Sequence, residues 1–379
     1  MLCFRKVRET EDACGKPAEV EQKKHLPRIS VIIFIVTAVC LLIYGVCLLS
    51  PQFSDFFNRY FSSVIRAILA WLTGWIPFSL AEFLLILLPV ILVCLILYGV
   101  RKNSESWRDV FIFCGSILSV LAAVSSVFLV GFAPAYRGTT LDRKLKIERR
   151  DVSAEQLYET AKILAEQINR DVGKVYFVEG GFSVMPYSYR ELNDKLLDAY
   201  DVICDEYSFV QRLDSNLKPV MLSDAMSYTH ITGVYSFFTG EANINVAFPD
   251  YTIPYTAAHE LAHQRGIARE DEANFMAFLV CIASDDPYIR YSGYLNLYEY
   301  VASALYQASP ELYWEAYRTL SVQVKDEMSA YSAFFEKYRD STASEVSETV
   351  NNTFLIIHGT EGTKSYGMVV DLAVAYYLS

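Results

Sequence analysis

Histidine and cysteine, which bind transition metals more often than most side chains do, are scarce in this sequence. The 379 residues include five histidines and eight cysteines, and six of the cysteines lie before residue 115. Only Cys204 and Cys281 follow, so a disulfide framework is excluded and one bridge between these two is left open. No two cysteines have the C-x-x-C spacing. A cysteine-based zinc site is therefore not expected.

Positive charge is also in short supply. The chain has 33 Lys and Arg residues against 44 Asp and Glu residues, which gives a formal net charge of −11 at pH 7. Domains that bind nucleic acid usually present an excess of basic side chains to the phosphate backbone. The charge balance therefore gives no support for a nucleic-acid partner.

Long apolar runs are absent after residue 135, and three precede it. They are Ile29–Leu49 (ISVIIFIVTAVCLLIYGVCLL), Phe83–Val100 (FLLILLPVILVCLILYGV) and Val110–Ala133 (VFIFCGSILSVLAAVSSVFLVGFA). A helix of about 20 apolar residues crosses the ~30 Å hydrocarbon core of a bilayer. A cleaved signal peptide is disfavoured for the first run, because 28 residues precede it and two further runs follow. We predict three retained transmembrane helices.

Basic residues indicate the orientation of these helices. Seven Lys or Arg residues precede the first run and three lie between the second and third, whereas the loop 51–76 carries two. The positive-inside bias puts the N-terminus in the cytoplasm and everything after Ala133 outside. Six basic residues between 137 and 150 oppose this assignment, although long domains translocate largely regardless of charge. They could instead lie against anionic lipid headgroups.

The chain is thus expected to have three parts: a cytoplasmic N-terminal segment (1–28), a transmembrane region (29–133) and an extracytoplasmic domain (134–379). Helical periodicity dominates the domain, with capping-box spacing at Ser153 and Gln156 and again at Ser188 and Glu191. Residues 241–248 (EANINVAF) alternate between apolar and polar instead. This alternation predicts a strand with one buried face, and so a mainly α domain with a small sheet.

The stretch 255–281, YTAAHELAHQRGIAREDEANFMAFLVC, carries the chemistry. His259 and His263 are four residues apart, so they project from one face of a helix at a separation that suits two ligands of one zinc ion. Glu260 lies beside the pair, where it can act as a general base on water. Gly266 is well placed to end the helix. The alternative is a helix that carries two histidines by chance, and a third ligand decides between them.

The third ligand is expected in residues 269–274, REDEAN. Glu270 and Asn274 share a helix face, whereas Glu272 lies about 200° around the helix from Glu270, so only one glutamate can meet the metal. Acidic residues in a first helical turn are also favoured by the helix dipole alone. Because the histidine pair directly precedes them, we predict a glutamate-ligand zinc site.

Four stretches carry a family resemblance: SFFTGEANIN, PYTAAHELAHQRG, REDEANFMAFLVC and EGTKSYGMVVDLAVAYY. With them, the chain resembles a bacterial family of uncharacterised membrane proteins, a domain of unknown function with three N-terminal spans and an outer zincin-like domain. The resemblance covers essentially the whole chain. It implies a zincin-like fold and a metallopeptidase activity, without a substrate.

REDEAN is also similar to the Arg-Glu-x-x-Ala-Asp element of CaaX-prenyl-protease-type enzymes and to the Glu-x-x-Ala-Asn element of anti-repressor metallopeptidases. In those families the first glutamate binds zinc and the Asp or Asn supports the site. Carried over, the resemblance selects Glu270 as ligand and Asn274 as its support. The element follows His263 much sooner than it does in the prenyl proteases, which leaves Glu272 as an alternative ligand.

We therefore expect an integral membrane zinc hydrolase, most simply a peptidase that acts on a peptide or protein outside the cytoplasmic membrane. Zn²⁺ would be held by His259, His263 and Glu270, with Glu260 as the general base. The alternative is a non-catalytic, membrane-anchored zinc-binding sensor or interaction protein. Glu260 favours the enzyme, since a closed structural site has no evident need of a base.

Other residues are weaker candidates. His230, Tyr255 or Tyr366 could stabilise an oxyanion, although a lone histidine in a loop, or one tyrosine among 27, is more often structural. The segment 240–247 would suit pairing with an extended substrate. His358 is expected at the surface.

The orientation can be tested by cysteine labelling in a background without native cysteines. Ser153→Cys should react with a membrane-impermeant thiol reagent on intact cells, because it follows an odd number of spans. Ser104→Cys, in the second loop, should react only after lysis. The reverse pattern would put the domain in the cytoplasm.

Overall fold

The computed structural model describes residues 25–101, 107–178, 181–362, 364 and 368–378. Tyr366, Ser104, Lys102 and the basic segment before residue 25 lie outside these ranges. All elements and contacts given below belong to the described residues.

Three helices in the described ranges are long and apolar enough to cross a membrane: α1 (Arg28–Leu49), α4 (Leu80–Arg101) and α5 (Trp107–Gly131). Few of their side chains are buried within the protein, as expected of residues that face lipid. α1 and α5 pack side by side, with Thr37 Oγ1 2.8 Å from Ser126 Oγ. The three predicted spans are thus present as helices, and the chain is a membrane protein.

The connection between α1 and α4 is itself helical. It consists of α2 (Pro51–Phe57), a π-helical turn (Asn58–Ser62) and α3 (Ser63–Gly74). One side is buried against the rest of the protein and includes Arg66, which is 2% exposed. The other side is an exposed apolar face formed by Phe56, Tyr60, Phe61, Val64, Ile68, Trp71, Leu72 and Trp75. This amphipathic connection, here called the α2–α3 segment, lies at the same end of the spans as the residues after α5.

After a 3₁₀ turn (Ala133–Arg137), most of the remaining chain forms a helical domain, residues 134–378. Its helices are α6 (Leu141–Leu145), α7 (Ala154–Val172), α8 (Tyr189–Glu206), α9 (Ser223–Ser227), α10 (Thr252–Gln264), α11 (Glu270–Ala283), α12 (Pro287–Ala308), α13 (Pro310–Arg318), α14 (Val322–Glu336), α15 (Thr342–Ile357) and α16 (Val369–Leu378). Both predicted capping boxes are present, at the starts of α7 and α8. Packing of α7, α10, α11 and α12 builds the core, and α10 and α11 are buried on nearly all sides.

The two cysteines of the domain are both free thiols. Cys281 is buried in α11, where burial raises the pKa of its thiol, and Cys204 is half-buried on α8. The bridge that the sequence left open is therefore not formed.

Three short strands form a sheet in the described part of the chain: β1 (Leu217–Pro219), β2 (Gly233–Ser236) and β3 (Glu241–Ile244). Their order is β1-β3-β2. β1 runs parallel to β3, with Leu217 opposite Ala242, and β2 runs antiparallel to it, with Gly233 opposite Ile244. The helix α10 packs against β2 and β3, which sets the sheet beside the two histidines.

Two predictions for the strand segment were wrong. Residues 241–244 are buried on both faces, because the polar face is covered by the start of α4: Glu241 accepts hydrogen bonds from Leu80 N and Ala81 N at 3.0 and 2.9 Å. Alternation in sequence could not show that a second layer covers the polar side. β3 is also the central strand, so the segment 240–247 has no free edge for a substrate.

The transmembrane region and the helical domain are packed into one unit. Lys218 Nζ donates to Thr73 O at 3.1 Å, and Glu82, in the first turn of α4, accepts from Met221 N and Leu222 N. Asp55 in α2 accepts from Thr139 N. The transmembrane region and the domain that we expected to begin at residue 134 are therefore joined by several hydrogen bonds.

Replacement of Glu241 tests this junction. Glu241→Ala should lower the free energy of unfolding by about 2–4 kcal/mol, because two backbone N–H groups at the start of α4 lose a charged acceptor. Thermal unfolding of the full-length protein in detergent measures the change. Glu159→Ala, which removes an exposed carboxylate on α7, is the control and should leave the unfolding temperature unchanged. Equal behaviour of the two variants would contradict the proposed anchoring.

Candidate metal centre

The helix α10 ends in a tight reversal that brings α11 back towards it. Gly266 has φ of 86°, a left-handed conformation that favours glycine. Its N–H donates to His263 O, and Ile267 N–H donates to Ala262 O, which is the Schellman pattern of helix ends. The predicted end of the helix at Gly266 is confirmed. Only five residues then separate the last residue of α10 from the first of α11.

This reversal brings three side chains together. Glu270 Oε2 lies 3.2 Å from His259 Nε2 and 3.5 Å from His263 Nε2, and one donor atom from each residue lies within 4.8 Å of the others. The two imidazole rings are perpendicular, with centroids 4.6 Å apart. Among the described residues, this is the group of His, Cys, Asp and Glu side chains that could hold a metal ion.

Burial and charge act against each other in this cluster. Burial would lower the pKa of His263, but the charge and hydrogen bond of Glu270, the charge of Glu260 and the hydrogen bond to Ile267 together outweigh it and raise the pKa to about 9. Burial would raise the pKa of Glu270, yet His263 and His259 together hold it well below its usual range. The carboxylate of Glu270 is therefore ionised. The side chains of His259 and Glu270 are each 11% exposed and that of His263 is 8% exposed, so the cluster is largely shielded from solvent.

Hydrogen bonds behind the cluster orient His263. Its Nδ1 lies 2.7 Å from Ile267 O, and a carbonyl can only accept, so Nδ1 carries the hydrogen and Nε2 points at Glu270. Asn274, which was expected to support the site, lies beside Tyr300. Asn274 Nδ2 and His259 Nδ1 are both buried without a partner in the described structure.

Glu260 lies beside the cluster and is 4% exposed. Burial raises its pKa to about 6, and Glu270 adds to the increase while the histidines oppose it. The backbone N–H of Tyr235 in β2 donates to the carboxylate, whereas Oε2 has no hydrogen-bond partner among the described residues. Gly233 allows this close approach, because a Cβ there would lie 2.6 Å from Glu260 Oε1. The sequence analysis did not select Gly233 or Tyr235 as site residues. The one available sign was the glycine itself, which lies in a short apolar stretch.

Glu272, the alternative ligand, is bound elsewhere. It accepts from Leu141 N at 2.9 Å and from Arg269 Nη1 at 3.0 Å. Arg269 also donates to Tyr136 O and Gly138 O. Arg269 and Glu272, which lie on either side of Glu270 in sequence, thus bind the backbone of residues 136–141, which follow α5.

The weaker candidates have structural partners. Tyr255 donates to Asn274 O at 2.9 Å, which ties α10 to α11. His230 contacts Tyr338 O and the Phe335 ring. His358 is half-buried against Phe128 of α5, rather than at the surface.

Two tyrosines close to the cluster were not distinguished in the sequence. The charge of Glu270 adds to the effect of burial on both: the pKa of Tyr300 is raised to about 12, and that of Tyr136 well above its usual value. Nothing in the sequence near either tyrosine marks it, since each is brought to the cluster by tertiary packing.

The cluster lies at the end of the third span. Phe132, the first residue after α5, has its ring centroid 6.1 Å from that of His263 and 5.2 Å from that of Tyr235. Phe128, one turn earlier in α5, contacts Phe237 with a centroid distance of 5.0 Å. The candidate centre is therefore close to the level at which the membrane-spanning helices end.

Fold and site together define a membrane protein whose mainly helical domain holds a buried cluster of two histidines and a glutamate. The family described as "Protein of unknown function (DUF3810)" matches residues 57–374, and the chain belongs to this family. The match confirms the expected membership in a family of unknown function. No curated protein and no solved structure matches the chain.

Metal analysis separates the two glutamates. We expect the full-length protein to bind about one zinc ion per chain after reconstitution, because two imidazoles and one carboxylate offer three ligands. Glu270→Ala should lose most of this zinc. Glu272→Ala should keep it and unfold more easily, since Leu141 N loses its acceptor.

The zinc content of dialysed protein, measured together with thermal unfolding, distinguishes the outcomes. Loss of zinc from Glu272→Ala but not from Glu270→Ala would contradict the assignment of the ligands.

Proposed function

We propose that this protein is a membrane-anchored zinc-dependent hydrolase of zincin-like arrangement, and specifically a peptidase. The observation that supports this most is the buried carboxylate of Glu260 beside a cluster of two histidines and a glutamate. On the charge bias of its loops, we place the site on the extracytoplasmic side of the cytoplasmic membrane.

The donor set fits zinc. Two imidazole nitrogens and a carboxylate oxygen are usual ligands of catalytic zinc, and ligand atoms about 2.0–2.1 Å from a tetrahedral ion are separated by about 3.3–3.4 Å. The observed separations of 3.2 and 3.5 Å lie on either side of this value. His259, His263 and Glu270 would hold the ion, which would supply a Lewis acid that makes water nucleophilic near neutral pH.

Glu260 would be the general base. Its Oε2 is buried and has no hydrogen-bond partner within the described ranges, so it can accept a proton from an attacking water and later donate it to the leaving amine. A pKa of about 6 leaves the group ionised at neutral pH and still basic enough for this transfer. The Tyr235 N–H fixes the carboxylate from the side of the sheet.

An edge strand beside Glu260 favours a peptide substrate. Asn245 N donates to Thr232 O, so by the alternation of an antiparallel pair Gly233 and Tyr235 direct their backbone groups away from β3. Within the described ranges no strand pairs with that side of β2. An extended peptide added there would run past Glu260, which already accepts from the Tyr235 N–H, and would pair with the other outward backbone groups of β2. β2 thus takes the role expected of the segment 240–247.

The alternative of a closed, structural zinc site would require a fourth protein ligand. No fourth His, Cys, Asp or Glu joins the cluster among the described residues. This leaves a position for water or substrate, as in catalytic sites.

Glu260→Gln tests the mechanism. The variant should keep its zinc, because Glu260 is not among the ligands, and should lose about 10²–10⁴-fold in the hydrolysis of any substrate found with quenched fluorescent peptide libraries. The full-length protein in detergent or nanodiscs is the sample. Glu159→Gln, an equal loss of charge on an exposed face of α7, is the control and should keep full activity.

Unchanged hydrolysis by Glu260→Gln would remove this residue from the mechanism. Zinc bound at full occupancy without hydrolysis of any library peptide would favour a sensor or interaction protein.

A further inference from the structure

A cavity of about 360 Å³ lies between the α2–α3 segment and the helical domain, beside the turn that follows α10. Four basic side chains line it, together with one carboxylate, Asp55. The basic residues are Arg59, Arg66, Lys144 and Arg265. Neither the proposed hydrolysis nor the metal cluster uses this cavity.

Two of the basic residues are buried guanidinium groups without a carboxylate partner. Arg66 is 2% exposed and Arg265 is 3% exposed, and within the described ranges neither forms an ion pair with an acidic residue. In the part of the chain that the structure describes, the Nε of each arginine has no hydrogen-bond partner. Buried charge without a direct ion pair is costly, and burial lowers the pKa of both groups, against the smaller opposing effect of Asp201 and Asp214 on Arg265.

The remaining contacts of the two arginines are with neutral groups. Arg66 donates to Asn58 Oδ1 and Gly131 O at 2.8 and 2.9 Å, and reaches Gln211 Oε1 at 3.3 Å. Arg265 donates to Leu213 O and lies 3.9 Å above the Tyr200 ring. These contacts fix the guanidinium planes, and they do not neutralise the charge.

The open side of the cavity is marked by Arg59, which is exposed, and by Lys144, which is partly exposed and pairs with Asp55 at 3.0 Å. Arg59 also lies over the ring of Tyr60, at 5.8 Å from its centroid, and Tyr60 belongs to the apolar face of the α2–α3 segment. The opening of the cavity therefore borders that face.

The position of the α2–α3 segment between two spans indicates that its apolar face contacts lipid. The α2–α3 segment begins two residues after the end of α1 and is followed within six residues by α4, so both of its ends are fixed where spans end. An amphipathic helix rich in Trp, Tyr and Phe at this level is typical of one that lies in the headgroup region. The cavity thus opens at the depth of lipid phosphates.

We propose that this cavity binds a phosphate group, with the headgroup of an anionic lipid as its source and Arg59, Arg66, Lys144 and Arg265 as its partners. Guanidinium groups match phosphate oxygens in geometry as well as in charge. A bound phosphate would provide the buried arginines with a direct ion pair, which no acidic side chain forms with them in the described part of the chain. Free inorganic phosphate is the other source of the same chemistry.

Lipid retention by the full-length protein tests the proposal. Native mass spectrometry after delipidation in detergent should show about one phosphatidylglycerol retained per chain. Retention of phosphatidylcholine should be at least about 10-fold weaker, because its quaternary ammonium meets a cationic wall. The double variant Arg59→Gln/Lys144→Gln changes the open side and leaves the buried arginines in place. It should lose this preference.

The matched control is Arg143→Gln/Lys146→Gln, which removes two exposed charges from the same region without touching the cavity. It should retain phosphatidylglycerol as the wild type does, and circular dichroism should show both variants folded. Equal retention of the two lipids, or unchanged retention by the Arg59/Lys144 variant, would overturn the proposal.

Added inorganic phosphate distinguishes the sources. One outcome is that millimolar phosphate displaces phosphatidylglycerol and raises the unfolding temperature of the wild type but not of the Arg59/Lys144 variant. In that case the cavity is a phosphate site whose ligand is a soluble anion. If phosphate at this concentration has no effect while the lipid preference persists, the lipid headgroup is the ligand.

Discussion

The reversal of the chain between α10 and α11 is the constraint on which the candidate centre depends. Glu270 can meet both histidines only if the chain turns back within five residues, and the left-handed Gly266 makes this possible. The turn is held from outside as well, since Asn58 donates to Gly266 O and the Arg66 side chain fills the space where a Cβ of Gly266 would lie. Residues from the membrane region thus contact the turn that brings Glu270 to the two histidines.

The membrane region and the helical domain consequently form one structure. Glu241 holds the start of α4, Glu272 holds Leu141 after the third span, and Arg66 binds the last carbonyl of α5. Buried polar side chains of this kind are costly when they lose their partners. The domain therefore needs the spans for its stability, and they are more than a tether.

Local rules explain which features the sequence could predict. Apolar runs show the spans, capping residues show where α7 and α8 begin, and the i, i+4 spacing puts His259 and His263 on one face. The same periodicity separates Glu270 from Glu272 without saying which face meets the histidines. That choice depends on Leu141, 131 positions away, which binds Glu272. Burial of both faces of β3 and the approach of Tyr300 likewise arise from contacts distant in sequence, which local patterns do not encode.

The contact between Phe132 and His263 links the candidate ligand to the thickness of the bilayer. The first turn of α5 carries Arg108 and Asp109, and the apolar residues that follow, 110–131, form a helix about 33 Å long, which slightly exceeds a hydrocarbon core of about 30 Å. A helix longer than the core relieves this mismatch by tilting, and the tilt changes as the bilayer thins or thickens. Phe132 directly follows that helix and packs against the imidazole, so a change in tilt moves the ring that presses on His263. The length of the lipid chains, which sets the bilayer thickness, would in this way affect the position of His263 in the cluster.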